Sequence, residues 1–264
     1  MILTDRDNRI LLLLREQGFV TFQQILARFF KQQSNCSARL IELEKNLYIT
    51  SIKAVDYLND KNPNSIYFPY LLSLGITPKT KIYYLHQCYR RQFSETNRLL
   101  KKDLCLHQLL LNDVRFYIED TFKDERIILN DPESKILADI DMTKRKEFTP
   151  DLTILSKKFS LAIELERTIK GQNRYMNRFW YYEDSSYTHI LYFYVNESHL
   201  KSLLQYAGTS YQFGFAHYKQ PQKIISNVFG FMHLKDWINK VSDIERKTNG
   251  EQKEPTRELS NTTH

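Results

Sequence analysis

The chain has 264 residues, 26% charged and 42% hydrophobic, which suits one large or two modest soluble domains with a real core. Its formal net charge of +7 favours a polyanionic partner, and Cys36, Cys88 and Cys105 lie far apart with no CxxC. Those features argue against a zinc site or a disulfide framework and for a reducing cytoplasm. No apolar run approaches the ~20 residues of a membrane span, and MILTDRDNR lacks the apolar core of a signal peptide.

Residues 4–57 read as a helix-turn-helix followed by a wing. Thr4 with Asp7, and Thr21 with Gln24, have the spacing of helix-start capping boxes. The first helix is predicted from about Asp5 to Glu16, with Ile10, Leu13 and Leu14 inward and Gly18 as its stop. The second runs from Phe22 to Phe30, pairing Ile25 with Phe29 and Leu26 with Phe30. The third runs from about Asn35 to Asn46 and buries Leu40, Leu43 and Leu47. It offers Asn35, Ser37 and Arg39 outward near its start, where a recognition helix touches bases or phosphates. Tyr48 to Val55 alternates like a strand, and Ile82 to Leu85 supplies the returning strand of the wing.

Between these strands, residues 58–80 carry Asn-Pro-Asn, Gly75 and Pro78 and read as a loop-rich insertion. The first domain therefore spans 1–90, and the basic segment 91–102 reads as its linker to the next. Asp103 to Phe122 is an amphipathic helix with Leu106, Leu110, Val114, Tyr117 and Ile118 on its buried side. His107 and Glu119 interrupt that pattern, and Glu119 is a candidate for a further acid behind the sheet. RIIL and KILADI, between Arg126 and Asp141, are short strands around an Asn-Asp-Pro turn, and Lys144-Arg145-Lys146 is a basic loop.

The most informative stretch is TPDLTILSKKFSLAIELERTIKGQNRY, Thr149 to Tyr175. Leu152 to Leu155 and Phe159 to Leu165 are apolar runs separated by the Ser-Lys-Lys turn. Period-two alternation puts Leu161, Ile163 and Leu165 on one face of the second strand and Ala162, Glu164 and Glu166 on the other. A hairpin of this length brings Asp151 beside Glu164 and Glu166. Three gathered carboxylates repel one another unless a cation sits among them, and Mg²⁺ or Mn²⁺ prefers such oxygen ligands. Asp151, Glu164 and Glu166 are therefore the candidate metal ligands. Lys170 and Tyr175 follow as the chain enters a helix, on which Arg174, Arg178 and Trp180 are candidates to face a nucleic acid. HILYFYV is a buried strand, Glu197 to Tyr206 a helix, Gln212 to Ala216 a strand and Val228 to Val241 a strand or helix. This second domain spans 103–241, and 242–264 reads as a disordered tail.

From Asp103 onward, the order helix, strands, Asp-led strand, Glu-x-Glu strand, helix, strand resembles the PD-(D/E)xK nuclease core of restriction endonucleases. Pro150-Asp151 and Glu164-Leu165-Glu166 carry the likeness. That family implies a metal held by the Asp and the first acid, and a Lys that activates water. Here Glu166 stands where the Lys is expected, and Lys170 is the nearest one downstream. The residues LTDRDNRILLLL, TFQQILARFF, Cys36 to Leu40, Leu106-His107, Asn112 to Val114 and PDLTIL…AIELERTIKGQNRY also resemble the plasmid replication-relaxation family, within it the MobC-type relaxases.

This resemblance implies an α+β protein with an N-terminal winged helix-turn-helix and a restriction-endonuclease-like mixed-sheet domain. It further implies metal-dependent, strand-specific nicking at a plasmid origin of transfer in bacterial cytoplasm, alongside a relaxosome accessory protein and a coupling protein. The functional residues it points to are Asp151, Glu164, Glu166, Lys170 and Tyr175. In this setting Tyr175 is either a donor to phosphate or a covalent nucleophile. Two other readings stay open: a non-catalytic DNA-binding regulator or replication-initiation accessory, and a restriction-type or repair nuclease.

Overall fold

The computed structural model describes residues 1–58, 75–91, 102–123, 128–130, 150–167 and 170–251. The fold is mixed α+β, and contacts divide the chain into two units, Met1–Phe116 and Tyr117–His264. Among the described residues no helix is long and apolar enough to cross a membrane.

In the first unit, α1 (Asp5–Gln17) opens on the Thr4/Asp7 capping box and stops at Gly18, which takes φ 73° while its N–H donates to the Leu14 carbonyl at 3.0 Å. A two-residue strand β1 (Val20–Thr21) leads into α2 (Phe22–Phe29), again through a capping box, Thr21/Gln24. Helix α3 (Gln33–Lys45) buries Cys36, Leu40 and Leu43 at helical spacing. Leu47 is not in the core as its place in the pattern suggests. The chain reverses there at φ 59°, and the side chain is left 52% exposed. Strand β2 (Ile49–Lys53), the short helix α4 (Ala54–Leu58) and strand β3 (Lys81–Leu85) follow, with β1 and β2 both antiparallel to the central β3. Ile10, Leu14, Val20, Ile25, Leu40, Leu43 and Leu85 form the core. The part of the expected insertion at 59–74 and the expected linker residues 92–101 lie outside the described residues.

After the one-turn helix α5 (Gln87–Arg90) comes α6 (Lys102–Thr121), which the sequence reading assigned whole to the second domain. Its first half is instead tied to the first unit by buried amides. Gln24 Nε2 donates to the Leu109 carbonyl at 2.7 Å, Asn112 Nδ2 to the Phe19 carbonyl at 2.7 Å, and Gln108 Nε2 to Gln17 Oε1 at 3.0 Å. Buried polar groups must be paired, so this seam holds the helix in place as firmly as its leucines do. The division consequently falls between Phe116 and Tyr117, inside α6, and not in segment 91–102.

The second unit is built on a seven-stranded sheet in the order β10-β9-β8-β7-β6-β5-β4. The strands are β4 (Ile128–Asn130), β5 (Leu152–Leu155), β6 (Ser160–Glu166), β7 (His189–Tyr194), β8 (Phe213–His217), β9 (Lys223–Ser226) and β10 (Gly230–His233). β4 pairs with β5 and β5 with β6 antiparallel; β6, β7 and β8 are parallel, joined by α7 (Gln172–Glu183) and α8 (Glu197–Ala207). Parallel strands need such helical crossovers, and β7 is buried along its whole length. β9, which the sequence reading does not contain, closes the sheet in a hairpin with β10.

Tyr175, Phe179 and Tyr182 of α7 pack on one face over Ala162, Ile190 and Tyr192. Trp237 of α9 (Leu234–Glu251) is fully buried, and β8 makes room for it with Gly214, where a Cβ would come within 2.9 Å of the indole. Helix α9 runs ten residues into the segment expected to be a tail. Leu234, Trp237, Ile238 and Val241 bury one stripe, and Glu245 continues it by accepting from Tyr211 Oη at 2.9 Å and Gln212 Nε2 at 3.1 Å. Residues 252–264, the KILADI segment and the basic loop 144–146 lie outside the described residues.

Candidate functional site

Strand register assembles the acids. β5 and β6 pair Leu152 with Ile163, so Asp151, one residue before β5, comes next to Glu164. Its Oδ2 accepts a hydrogen bond from the Leu165 N–H at 2.7 Å. Glu164 and Glu166 lie on the β6 face that pairs with Tyr192 and Tyr194 of β7, beneath α7, and each is only 2% exposed. Burying two glutamates beside an aspartate is costly unless cations compensate. Two do so. Arg178 Nη2 lies 2.8 Å from Glu164 Oε1, and Lys170 Nζ lies 2.8 Å from Glu166 Oε2. Tyr182 Oη also donates to Glu164 Oε1.

Among the described residues, Glu166 Oε1 and Tyr192 Oη are both buried with no hydrogen-bond partner. Burial first, and the Asp151 charge second, push Glu164 up to about 8, against the opposing pull of Arg178, Tyr182 and Lys170. The Tyr192 phenol is likewise pushed far up, by burial and then by Glu164. A divalent cation would reverse that pressure, because it favours the ionised carboxylate. The unpartnered Glu166 oxygen and the raised Glu164 are the features of this chain that suit one. However, among the described residues no three His, Cys, Asp or Glu side chains are grouped so that they could hold a metal ion. Each acid also has a protein partner of its own: the Leu165 amide for Asp151, Arg178 for Glu164 and Lys170 for Glu166.

Other expectations are corrected by packing. Arg178 does not face outward; it turns into the sheet to meet Glu164. Tyr175 is 1% exposed, its ring stacks on Tyr206 at 5.5 Å, and its Oη accepts the Lys170 N–H at 3.3 Å. Burial pushes its phenol up to about 12, the opposite of what a nucleophile needs. It packs in the core of the second unit and accepts the amide just ahead of α7. Arg39 is also turned inward. Its guanidinium binds Asp7 through Nε at 2.8 Å and through Nη2, and pairs with Glu42. Asn35, Ser37 and Arg174 are exposed as expected, and Trp180 is 56% exposed. Glu119 is half-buried, and His107, also half-buried, belongs to the first unit.

Sequence reasoning missed Tyr182 and Tyr192. The signal was there, since a tyrosine in place of phenylalanine within an apolar run brings a hydroxyl that wants a partner. A surface cavity of about 500 Å³ between the end of α6 and the start of α9, lined in part by Lys123, His233 and Lys235, contains none of these residues. Comparison of the chain with protein-family models, with curated proteins and with solved structures finds no match.

Proposed function

We propose that this chain is a metal-dependent DNA-nicking enzyme, a relaxase acting on one strand at a plasmid origin of transfer. The observation that carries the reading is the acid cluster on an α-β-β-β-α-β core. Asp151, Glu164 and Glu166 sit on adjacent strands, with one buried carboxylate oxygen unpartnered and two cations at hand. That order of elements, antiparallel β4-β5-β6 followed by parallel β7, supports a restriction-endonuclease-like core, and α1 to α3 with the β2–β3 pair support a winged helix-turn-helix.

In this reading Asp151, Glu164 and Glu166 would hold Mg²⁺ or Mn²⁺, which would supply Lewis acidity towards the phosphodiester and acidify a water. Lys170 and Arg178, once released from their carboxylates, offer positive charge to the phosphoryl oxygens. With Tyr175 buried, water is the nucleophile. Partners would be the plasmid origin, a relaxosome accessory protein and a coupling protein. The test is a supercoiled plasmid carrying the cognate origin with Mn²⁺. The wild-type chain should nick it, and Asp151→Asn and Glu164→Gln should not; equal nicking by the variants rejects the site.

A second reading, a non-catalytic origin-binding regulator, is favoured by one observation: Arg178 and Lys170 already neutralise the two glutamates from within. Sequence-specific duplex binding without cleavage under Mg²⁺ or Mn²⁺ would select it.

A further inference from the structure

Two arginines of the first unit are held in an unusual way. Arg6 and Arg9 are exposed on α1 and three residues apart, which puts them on one helix face. The Arg6 guanidinium lies over the Phe30 ring, 4.2 Å from its centroid, and the Arg9 guanidinium over Phe29, at 5.5 Å. Among the described residues neither forms an ion pair; Asp7, between them in sequence, is taken by Arg39 and Thr4. An aromatic face orients a guanidinium without neutralising it, and leaves its in-plane N–H groups free to grip an anion with two oxygens.

The surroundings suit the same ligand. Phe30 ends α2 and runs directly into Lys31 and Gln32. Gln32 is the N-cap of α3 and makes no side-chain capping bond, and 31–35 is exposed throughout. Arg6 is near enough to the first turn of α3 for its charge to act on the Cys36 thiol. Pre-oriented cations, an exposed lysine and open backbone amides therefore border one short segment, with exposed Asp5 as the acid beside it in sequence.

We propose that Arg6 and Arg9, laid on Phe30 and Phe29, bind two backbone phosphates of duplex DNA beside the start of α3. This rests on the DNA-binding reading above and adds which residues set the register of the first unit on the duplex. Because the contact is to phosphate, it contributes affinity and salt sensitivity but no sequence preference.

The experiment measures duplex binding by the full chain, in EDTA so that nothing is cut, from low to high salt, with an origin duplex and a scrambled one. Each lost phosphate contact should flatten the slope of log K against log salt by about 0.9, so Arg6→Gln/Arg9→Gln together should flatten it by roughly 2. Affinity should fall by a similar factor for both duplexes. Phe30→Leu keeps the charge but frees Arg6, and should weaken binding by a smaller factor. Thermal melting of each variant checks that the fold is kept. A wild-type chain that binds duplex, with an unchanged slope in the double variant, overturns the phosphate contact and leaves the DNA reading standing. A wild-type chain that binds neither duplex at low salt overturns both.

Discussion

Asp7 in the first unit and Glu164 in the second are both buried carboxylates met by an arginine from a helix, and they come out oppositely. Asp7 is enclosed by the Thr4 N–H at 2.7 Å, the Thr4 hydroxyl at 2.6 Å and two nitrogens of Arg39. Burial pushes its pKa up, but the Arg39 and Thr4 hydrogen bonds outweigh it and hold the group down at about 2. Glu164 has Arg178 and Tyr182, but it also has Asp151 beside it and Glu166 two residues on, and it is pushed up to about 8. A pair that closes its own charge is architecture. A cluster that sets one buried acid beside another keeps a carboxyl raised under a helix.

The sharpest way to break this comparison is to neutralise each acid. Glu164→Gln should reduce nicking by about 10²–10³-fold, the cost of losing one electrostatic contact to the reacting group, and by more than its loss of stability accounts for. Asp7→Asn should do the reverse. It leaves Arg39 facing an amide and should cost about 3–5 kcal/mol in denaturant unfolding, with nicking per folded molecule unchanged. If both variants lose activity in proportion to stability, the distinction fails.

Acid separates the two units next. His189 is fully buried, its Nε2 donates to the Ile238 carbonyl at 3.0 Å, and burial holds its pKa down at about 4. Through His189 the native chain binds fewer protons than the unfolded chain between pH 6.5 and 4, whereas through Glu164, raised from 4.5 to about 8, it binds more between pH 8 and 4.5, so the two oppose each other. The His189 contribution is whole above pH 6.5 and lost as pH falls through 4, worth on the order of 3 kcal/mol. Asp7 acts with the same sign, but only between its unfolded value of 3.8 and about 2. Glu164→Gln removes the opposing contribution, so fluorescence of Trp180 and Trp237, both in the second unit, should report loss of structure at a higher pH in that variant than in the wild type.

Metal binding should also strengthen with rising pH, but over a higher range. A cation must displace the Glu164 proton, so Mn²⁺ affinity measured by calorimetry should rise towards pH 8 with proton release, and Glu164→Gln should flatten that rise. The smallest effect belongs to Tyr192→Phe. Its hydroxyl is buried without a partner, so removing it should leave stability unchanged or raise it by up to about 1 kcal/mol.

The local signals carried far. Both capping boxes, the Gly18 stop and the Asp151–Glu166 hairpin are visible in the sequence because each is settled by residues a few positions apart. What the sequence hides is long-range. Arg39 meets Asp7 across 32 residues and Arg178 meets Glu164 across 14, and no periodicity says which exposed-looking arginine will turn inward. Tyr175 misled for a related reason: it follows Arg174 at a helix start, yet its partner is Tyr206, on α8. Strand β9 was too short to alternate, and α9 outran its apolar stripe because Glu245 is anchored by Tyr211 and Gln212.

Helix α6 has a practical consequence. A fragment beginning at Lys102, the natural choice for producing the sheet-bearing half by itself, would carry Gln108 and Asn112 without Gln17 and the Phe19 carbonyl, and would bare Leu106, Leu109 and Leu110 to solvent. A fragment ending before it would strip the other half of the same seam. Severing the chain at the 116/117 division would cut one helix in two. Neither half is a ready-made expression unit, and moving either unit onto another chain would require grafting this helix with it.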